Sequence, residues 1–331
     1  MGLKPVIALV TGGYSSEAEI SYKSAVTIDK HLDREKYEVY KIDIAPSGWF
    51  YEQGSEKIAV NKDDFSLTLS GNKIVFDAVF IGIHGTPGED GKLQGYLDLM
   101  NIPYTSCDAA TSALTFNKRY TVAVAAFSGI NTARSLHLFS HSPMDAKEIA
   151  GKLSFPVFVK PNNGGSSIGM SKVNKSEDLP AALEKAFKED SQILVEEFIS
   201  GREFTVGVFK SASGITVLPI TEVVTANEFF DFEAKYKGLS KEITPADLSP
   251  AQAESIRIAA KKVFEAFNCR GMVRIDFILN DSSEEPYLLE INTVPGQSEA
   301  SVIPQQVRAM GWNLADFYSS LIEDALSRKT H

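Results

Sequence analysis

Two apolar segments near the C-terminus carry acids where acids are costly. Val273–Leu279 (VRIDFIL) and Pro286–Asn292 (PYLLEIN) have strand composition and are joined by the turn-like Asn280–Glu285. Antiparallel pairing about Ser283 sets Asp276 opposite Glu290 and Arg274 opposite Asn292. Side chains alternate across a strand, so these four polar groups share one face, and Ile275, Phe277, Leu289 and Ile291 take the other. Two directly opposed carboxylates repel, and a bound divalent cation would relieve that repulsion. A set of Asp, Glu and Asn oxygens suits Mg²⁺, which completes its shell with water and substrate phosphates. The plainer reading is a half-exposed hairpin with solvated charges, but strands this apolar leave few other reasons for the acids.

A second signal is Lys160, which ends the apolar run Val157–Lys160 and is followed by the Gly/Ser stretch Asn162–Gly169. Backbone N–H groups of such a loop can cradle a phosphate beside the lysine. The stretch matches neither GxxxxGK[ST] nor GxGxxG, and alone it could equally be a flexible turn. Glu196 and Glu203 flank strand ends, where surface charge is the default reading, and His84 ends a buried run, where a satisfied core histidine is the default. Cys107 and Cys269 lack a partner histidine and a CxxC, so neither thiol catalysis nor a disulfide framework is expected.

The elements that must position these groups follow from periodicity. The strand-like Val6–Val10, the helical Ile20–Leu32, the strand Tyr37–Ile44 and the buried strand Asp77–Ile83 form a βαβ rhythm, which predicts a parallel sheet with flanking helices. Trp49–Val60 and Ser66–Val75 read as hairpins around Gly54 and Gly71. Helices are expected over Gly91–Met100, Asp108–Leu114, Lys118–Phe127, Leu179–Lys188 and from Ser249-Pro250 to about Phe267, with another opening at Ser142-Pro143. Strands are expected at His137–Phe139, Ile193–Glu197, Glu203–Lys210 and Ile215–Val224. The polar stretch Thr225–Leu248 is long for a structureless loop and suggests a lid. The 331 residues are 44% hydrophobic, enough for a large core without disulfides. With 33 basic against 43 acidic residues, the net charge of -10 argues against a nucleic-acid or anionic-membrane surface. No signal-peptide pattern precedes Val6–Val10 and no apolar run approaches ~20 residues, so a cytoplasmic protein is expected.

Taken in order, these segments resemble the D-alanine–D-alanine ligases of the ATP-grasp superfamily. The resemblance rests on Gly12–Ser21 (GGYSSEAEIS), His84–Gly95 (HGTPGEDGKLQG), Ser112–Lys118, Lys160–Met170, Gly201–Thr205, Glu233–Tyr236, Arg274–Asp276 and Glu290–Gly296. It implies an α/β and α+β architecture: a three-domain ATP-grasp fold with an N-terminal parallel-sheet domain, divided at 1–107, 108–196 and 197–331. It also implies a bacterial, cytoplasmic homodimer that joins two D-alanines using ATP and two Mg²⁺, with Mn²⁺ able to substitute. The resemblance assigns Lys118, Lys160 and Lys235 to ATP phosphates, Glu196 to the adenine side and Glu203 to the ribose. Asp276, Glu290 and Asn292 would hold metal. Arg274 and the Gly296 N–H would meet the oxyanion. Glu17 would pair with the first substrate's ammonium, Ser166 and Tyr236 would link it to the lid, His84 would lie nearby, and Ser301 would bind the second substrate. The sequence departs from the family's pattern at Tyr14, at Asn163-Gly164 and over Gln297–Ser301, which bears on the second-substrate assignment. Another ATP-grasp carboxylate–amine or carboxylate–thiol ligase, or a non-catalytic nucleotide-binding module, stands as the alternative.

Overall fold

The parallel centre of the first sheet is set by strands buried on both faces. In a computed structural model that describes residues 4–142, 144–165, 168–225 and 240–328, β1 (Val6–Gly12) pairs in parallel with both β2 (Glu38–Ala45) and β7 (Ala78–Ile81). Ile7, Ala8, Leu9 and Val10 of β1 are wholly buried, as a run covered on two faces requires. The crossover is α1 (Ala18–His31). Two antiparallel strands, β3 (Gly48–Gln53) and β4 (Glu56–Ala59), extend the sheet in the order β4-β3-β2-β1-β7. A small hairpin, β5 (Leu67–Leu69) and β6 (Asn72–Ile74), stands apart, and α2 (Lys92–Leu99) follows β7.

Next come α3 (Ala109–Phe116) and α4 (Lys118–Phe127), each begun by a side-chain cap, Asp108 and Asn117. They lead into an antiparallel sheet of β8 (Ser135–Phe139), β9 (Val157–Pro161), β10 (Ser171–Val173) and β11 (Gln192–Glu197), ordered β10-β9-β11-β8. Two helices accompany it, α5 (Ala146–Ala150) and α6 (Leu179–Glu189). Ser142 does not open α5, contrary to the sequence reading. It bridges back to Phe139, and Asp145 caps the helix by accepting from the Glu148 N–H. As caps the two residue types are equivalent, and the bridge to Phe139 places Ser142 in the preceding turn, which leaves the helix start to Asp145.

The third sheet is antiparallel throughout. Its path β15-β14-β12-β16-β17 joins β12 (Gly201–Ser211), β14 (Thr221–Thr225), β15 (Ser240–Ile243), β16 (Met272–Asn280) and β17 (Pro286–Asn292), with β13 (Gly214–Val217) also on β12. The single strand expected over Ile215–Val224 is thus two, divided at Leu218–Ile220, where Pro219 has no N–H to give a ladder. Helix α7 (Pro250–Ala266) starts with the full Ser249/Gln252 capping box. Its apolar face covers β12 and β16 through Ile256, Ala260, Val263 and Phe264.

Helix α8 (Val302–Ala309) packs on β12, and α9 (Leu314–Ser327) returns to the first sheet. Phe317, Tyr318, Leu321 and Ile322 of α9 share a core with Ile7, Leu9 and Ile28, and the Tyr318 ring meets Phe80 edge-on at 5.6 Å. A second seam joins the stretch after β7 to the turn before β16. Gly271 has φ +57°, and a Cβ there would lie 1.7 Å from the Thr105 carbonyl oxygen. Gly271→Ala is therefore expected to lower stability by ~3 kcal/mol or more. Gly54→Ala, at φ +62° with nothing within 4 Å, should cost only about 1 kcal/mol. Urea denaturation of the two variants checks this, and equal losses would refute close packing at the Gly271 seam.

Candidate active site

The second and third sheets face one another across a cleft of about 680 Å³ whose far end is closed by the first sheet's loops. Alternation decides what each strand offers to it. On β16, Val273, Ile275 and Phe277 are wholly buried in the core, while Arg274, Asp276 and Ile278 line the cleft. On β9, Val157 and Val159 go to the core, and Phe158 and Lys160 line the cleft. The β16–β17 register places Asp276 against Glu290 and Arg274 against Asn292, as the sequence implied. The register then shifts by one residue after Asp276, so Phe277 pairs with Leu288. This bulge corrects the expected apolar face: Leu288 is the core residue, and Leu289 lines the cleft beside Glu290.

Of the residues singled out in the sequence, Glu17, His84, Lys118, Lys160, Glu196 and Glu203 all line this one cleft. So do Arg274, Asp276, Glu290, Asn292, Gly296 and Ser301. Ser166, Lys235 and Tyr236 lie outside the described residues. At one end, Lys160 Nζ meets Glu196 Oε1 at 2.5 Å, with both side chains nearly buried, and Lys118 Nζ donates to the Gly164 carbonyl at 2.8 Å. Glu196, expected to face only adenine, is thus also the lysine's ion-pair partner.

Toward the other end, Arg274 forks onto Asp276, with Nη2 2.8 Å from Oδ2 and Nε 3.0 Å from Oδ1. Nη2 also lies 3.4 Å from Glu290 Oε1, and Thr205 Oγ1 donates to Asp276 Oδ1 at 2.5 Å. Burial opposes the guanidinium charge, but Asp276 and then Glu290 overcome it and hold Arg274 protonated well above its ordinary range. Among the described residues, no group of three or more His, Cys, Asp or Glu side chains is arranged to hold a metal. Asp276 and Glu290 are joined on the same cleft wall by the Asn292 amide. Three oxygen donors on one cleft wall are chemically suited to Mg²⁺, which takes its remaining ligands from water and phosphate.

The first sheet supplies the cleft's floor. Glu17, just before α1, lies against two glycines: a Cβ would come within 2.6 Å of its Oε2 from Gly85 and 2.8 Å of its Oε1 from Gly165. The 85 and 165 loops thus approach this carboxylate through bare backbone, and Gly85 does so at φ +67°, a conformation that favours glycine. His84 Nε2 is 2.9 Å from Ser24 Oγ, and burial, with Arg274 nearby, drives its pKa down to about 4, so it is neutral at neutral pH. Ser24 Oγ accepts from the Gln297 N–H at 3.0 Å, and Tyr318 Oη donates to Gln297 Oε1 at 3.2 Å. The unusual Gln297 is thereby explained: it is buried and ties α1, α9 and the stretch before α8 together. Ser301 caps α8 by position, and its Oγ lies 2.7 Å from Ser298 Oγ.

Sequence reasoning missed Glu89 and Glu242, which also line the cleft. The signal for Glu89 was present as a carboxylate inside the Gly-rich stretch after a buried strand. Its Oε2 accepts from the Gly85 N–H at 2.5 Å. Burial, then the charge of Glu17, push its carboxyl up to about 8. Burial also raises Glu242, which accepts from Gln305 Nε2 at 2.7 Å.

Facing β-sheets that clamp two lysines at one end and an acid–arginine hairpin at the other define an ATP-grasp protein. The family models agree: the D-ala D-ala ligase N-terminus matches residues 6–107 and the D-ala D-ala ligase C-terminus residues 117–323. A D-alanine--D-alanine ligase of Flavobacterium johnsoniae is 45% identical, covering 97% of this chain and 99% of that protein. Among solved structures, the VanG D-Ala:D-Ser ligase of Enterococcus faecalis superposes with a TM-score of 0.86 at 29% identity, over 97% of this chain and 99% of that one. The D-alanine--D-alanine ligase of Bacillus anthracis complexed with ATP gives 0.79 at 27% identity, over 98% of each chain. This chain belongs to the D-alanine–D-alanine ligase family.

The raised Glu89 carboxyl makes stability pH-dependent. Between its ordinary value of 4.5 and about 8, the folded state binds a proton that the unfolded state has released, so this contribution is complete below pH 4.5 and lost as pH rises toward 8. Glu89→Gln, which cannot ionise, should gain in melting temperature relative to the unmodified protein as pH rises from 5 to about 8. A temperature difference that stays flat across that range would refute a protonated Glu89.

Proposed function

We propose that this chain joins two D-alanines to D-alanyl-D-alanine with ATP cleaved to ADP and phosphate, supplying a peptidoglycan precursor. The observation that carries this reading is the shared cleft, with Glu17 on its floor, Lys118 and Lys160 at one end, and Arg274, Asp276, Glu290 and Asn292 on one wall. The 45% identity to a D-alanine--D-alanine ligase supports D-alanine as the acceptor. The structural likeness to a D-Ala:D-Ser ligase makes D-serine the competitor to test. Residues 1–107, 108–196 and 197–331 are read as its three domains, each built on one of the main sheets. In this reading it acts as a homodimer in the bacterial cytoplasm. No described helix is long and apolar enough to cross a membrane.

A carboxylate is a poor electrophile, so the first step must give it a leaving group. The carboxylate of the first D-alanine takes the γ-phosphoryl group and ADP departs. The amine of the second D-alanine then attacks the acyl carbon, and phosphate leaves. Glu17 would hold the first ammonium by charge, and neutral His84 would add no competing cation beside it. Lys118 and Lys160 would hold the phosphates, with Glu196 and Glu203 toward adenine and ribose. Asp276, Glu290 and Asn292 would hold two Mg²⁺, or Mn²⁺, and when bound these ions would offset phosphoryl charge. Arg274, with the Gly296 N–H, would stabilise the oxyanion that exists only during acyl transfer. Ser301 would bind the second carboxylate. The family pattern gives Lys235, Ser166 and Tyr236 to the lid.

Phosphate release from ATP should depend strongly on added D-alanine, with the dipeptide as the product by mass spectrometry and little product from D-serine. Release indifferent to amino acid would favour a nucleotide-binding module, and a different product would favour another ligase. Arg274→Lys keeps a charge but loses the planar fork, and kcat should fall ~10²-fold with a smaller change in KM. An effect confined to KM would remove the oxyanion role. Glu290→Gln should keep the fold and severely weaken Mg²⁺-dependent turnover, whereas near-normal turnover at ordinary Mg²⁺ would remove the metal assignment.

A further inference from the structure

We propose that Asn162 is a positioning residue for the nucleotide-phosphate end of the cleft, fixing Lys118 against Lys160 by tying the start of α4 to the end of β9. The proposal rests on the reading of those two lysines as phosphate-binding. The lysines come from separate elements, and something must set their spacing. Asn162 follows Lys160 by two residues and is wholly buried. Its carbonyl accepts from the Lys118 N–H at 3.1 Å, and its Oδ1 accepts from the Arg119 N–H at 2.8 Å. Its own N–H donates to the Gln192 carbonyl on β11 at 2.9 Å.

The first N–H groups of a helix have no acceptor within the helix. In α4, Asn117 Oδ1 serves the Tyr120 N–H at 3.2 Å, leaving the two before it to Asn162. Lys118 then returns through its Nζ to the Gly164 carbonyl. The helix start is thus fastened at three points to the loop that begins right after Lys160. This amide is not there for cheap packing. Its Nδ2 is buried with no acceptor among the described residues, an arrangement that costs stability. Alanine or leucine would avoid that cost, but neither supplies an acceptor to the Arg119 N–H. Aspartate would supply one, yet would add a negative charge beside lysines meant for phosphate.

The test is a double-mutant cycle in the full chain with Asn162→Ala, Lys118→Ala and both together. KM for ATP and for D-alanine would be read from phosphate release, and folding from thermal melting. Asn162→Ala should raise KM for ATP about tenfold and leave KM for D-alanine within about twofold. In the Lys118→Ala background it should add less than about threefold, because a residue acting through Lys118 has little left to lose. Fully multiplicative effects, or equal losses toward both substrates, would overturn the proposal. Lys118→Ala with an unchanged KM for ATP would instead overturn the phosphate reading of that lysine, and the proposal with it. Should Asn162→Ala not fold, Asn162→Ser keeps a smaller acceptor and carries the same cycle, with an intermediate rise in KM for ATP expected and no rise overturning the proposal.

Discussion

The cleft depends on one electrostatic arrangement: a half-buried guanidinium held among carboxylates. Arg274 makes two bonds to Asp276 and reaches Glu290, while Thr205 holds Asp276 from the neighbouring strand. Removing a single partner from such a set leaves the others short of a counter-charge in a partly desolvated site, which costs more than the intact set contributes. The effect reaches past the hairpin. Arg274 helps keep His84 neutral, while the summed negative charge helps keep Glu89 protonated. Groups drawn from the first and third sheets thus bias one another's protonation across the cleft.

Such coupling needs the sheets to stay in register with one another, and the packing shows how. The C-terminal helix α9 is buried against the first sheet, although it follows the third in sequence. The hydrogen-bonded run from Tyr318 through Gln297 and Ser24 to His84 extends that apolar contact to the cleft floor. At the other seam, Arg270 pairs with Asp108 at 2.7 Å, and Gly271 lies against the Thr105 carbonyl. Apolar burial supplies most of the attraction between the units. The polar links add direction, since each donor must meet one acceptor.

What was legible in the sequence was what short-range patterns encode. Period-two alternation predicts the Asp276–Glu290 pairing, because strand pairing from a short turn leaves few registers. It did not give the bulge that moves Leu289 to the cleft, because an extra residue on one strand leaves the apolar content unchanged. The helix start at Asp145 was misplaced to Ser142-Pro143 because two cap-like residues lie three apart, and only tertiary packing chooses between them. Glu196 was read as a strand-end acid. That it faces Lys160 depends on the pairing of β9 with β11, two strands separated by β10 and α6. Glu89 was hidden for a related reason, since its burial comes from a loop closing on itself rather than from any apolar neighbour in sequence.

The same distinction separates a residue's place in a family pattern from its chemistry. A family pattern marks residues one at a time, whereas their chemistry depends on pairs. Lys160 matters with Glu196, Arg274 with Glu290, and Glu17 with the two glycines pressed against it. Each pair joins segments far apart in the chain or opposed across a hairpin, so the partners are fixed by sheet order and twist rather than by local composition. Arg274 shows the consequence most directly. By composition it is a cation near the start of an apolar run, where solvent would be its natural partner. Placed opposite Asn292 and between two carboxylates, it becomes a fixed donor whose charge is secured by the acids beside it.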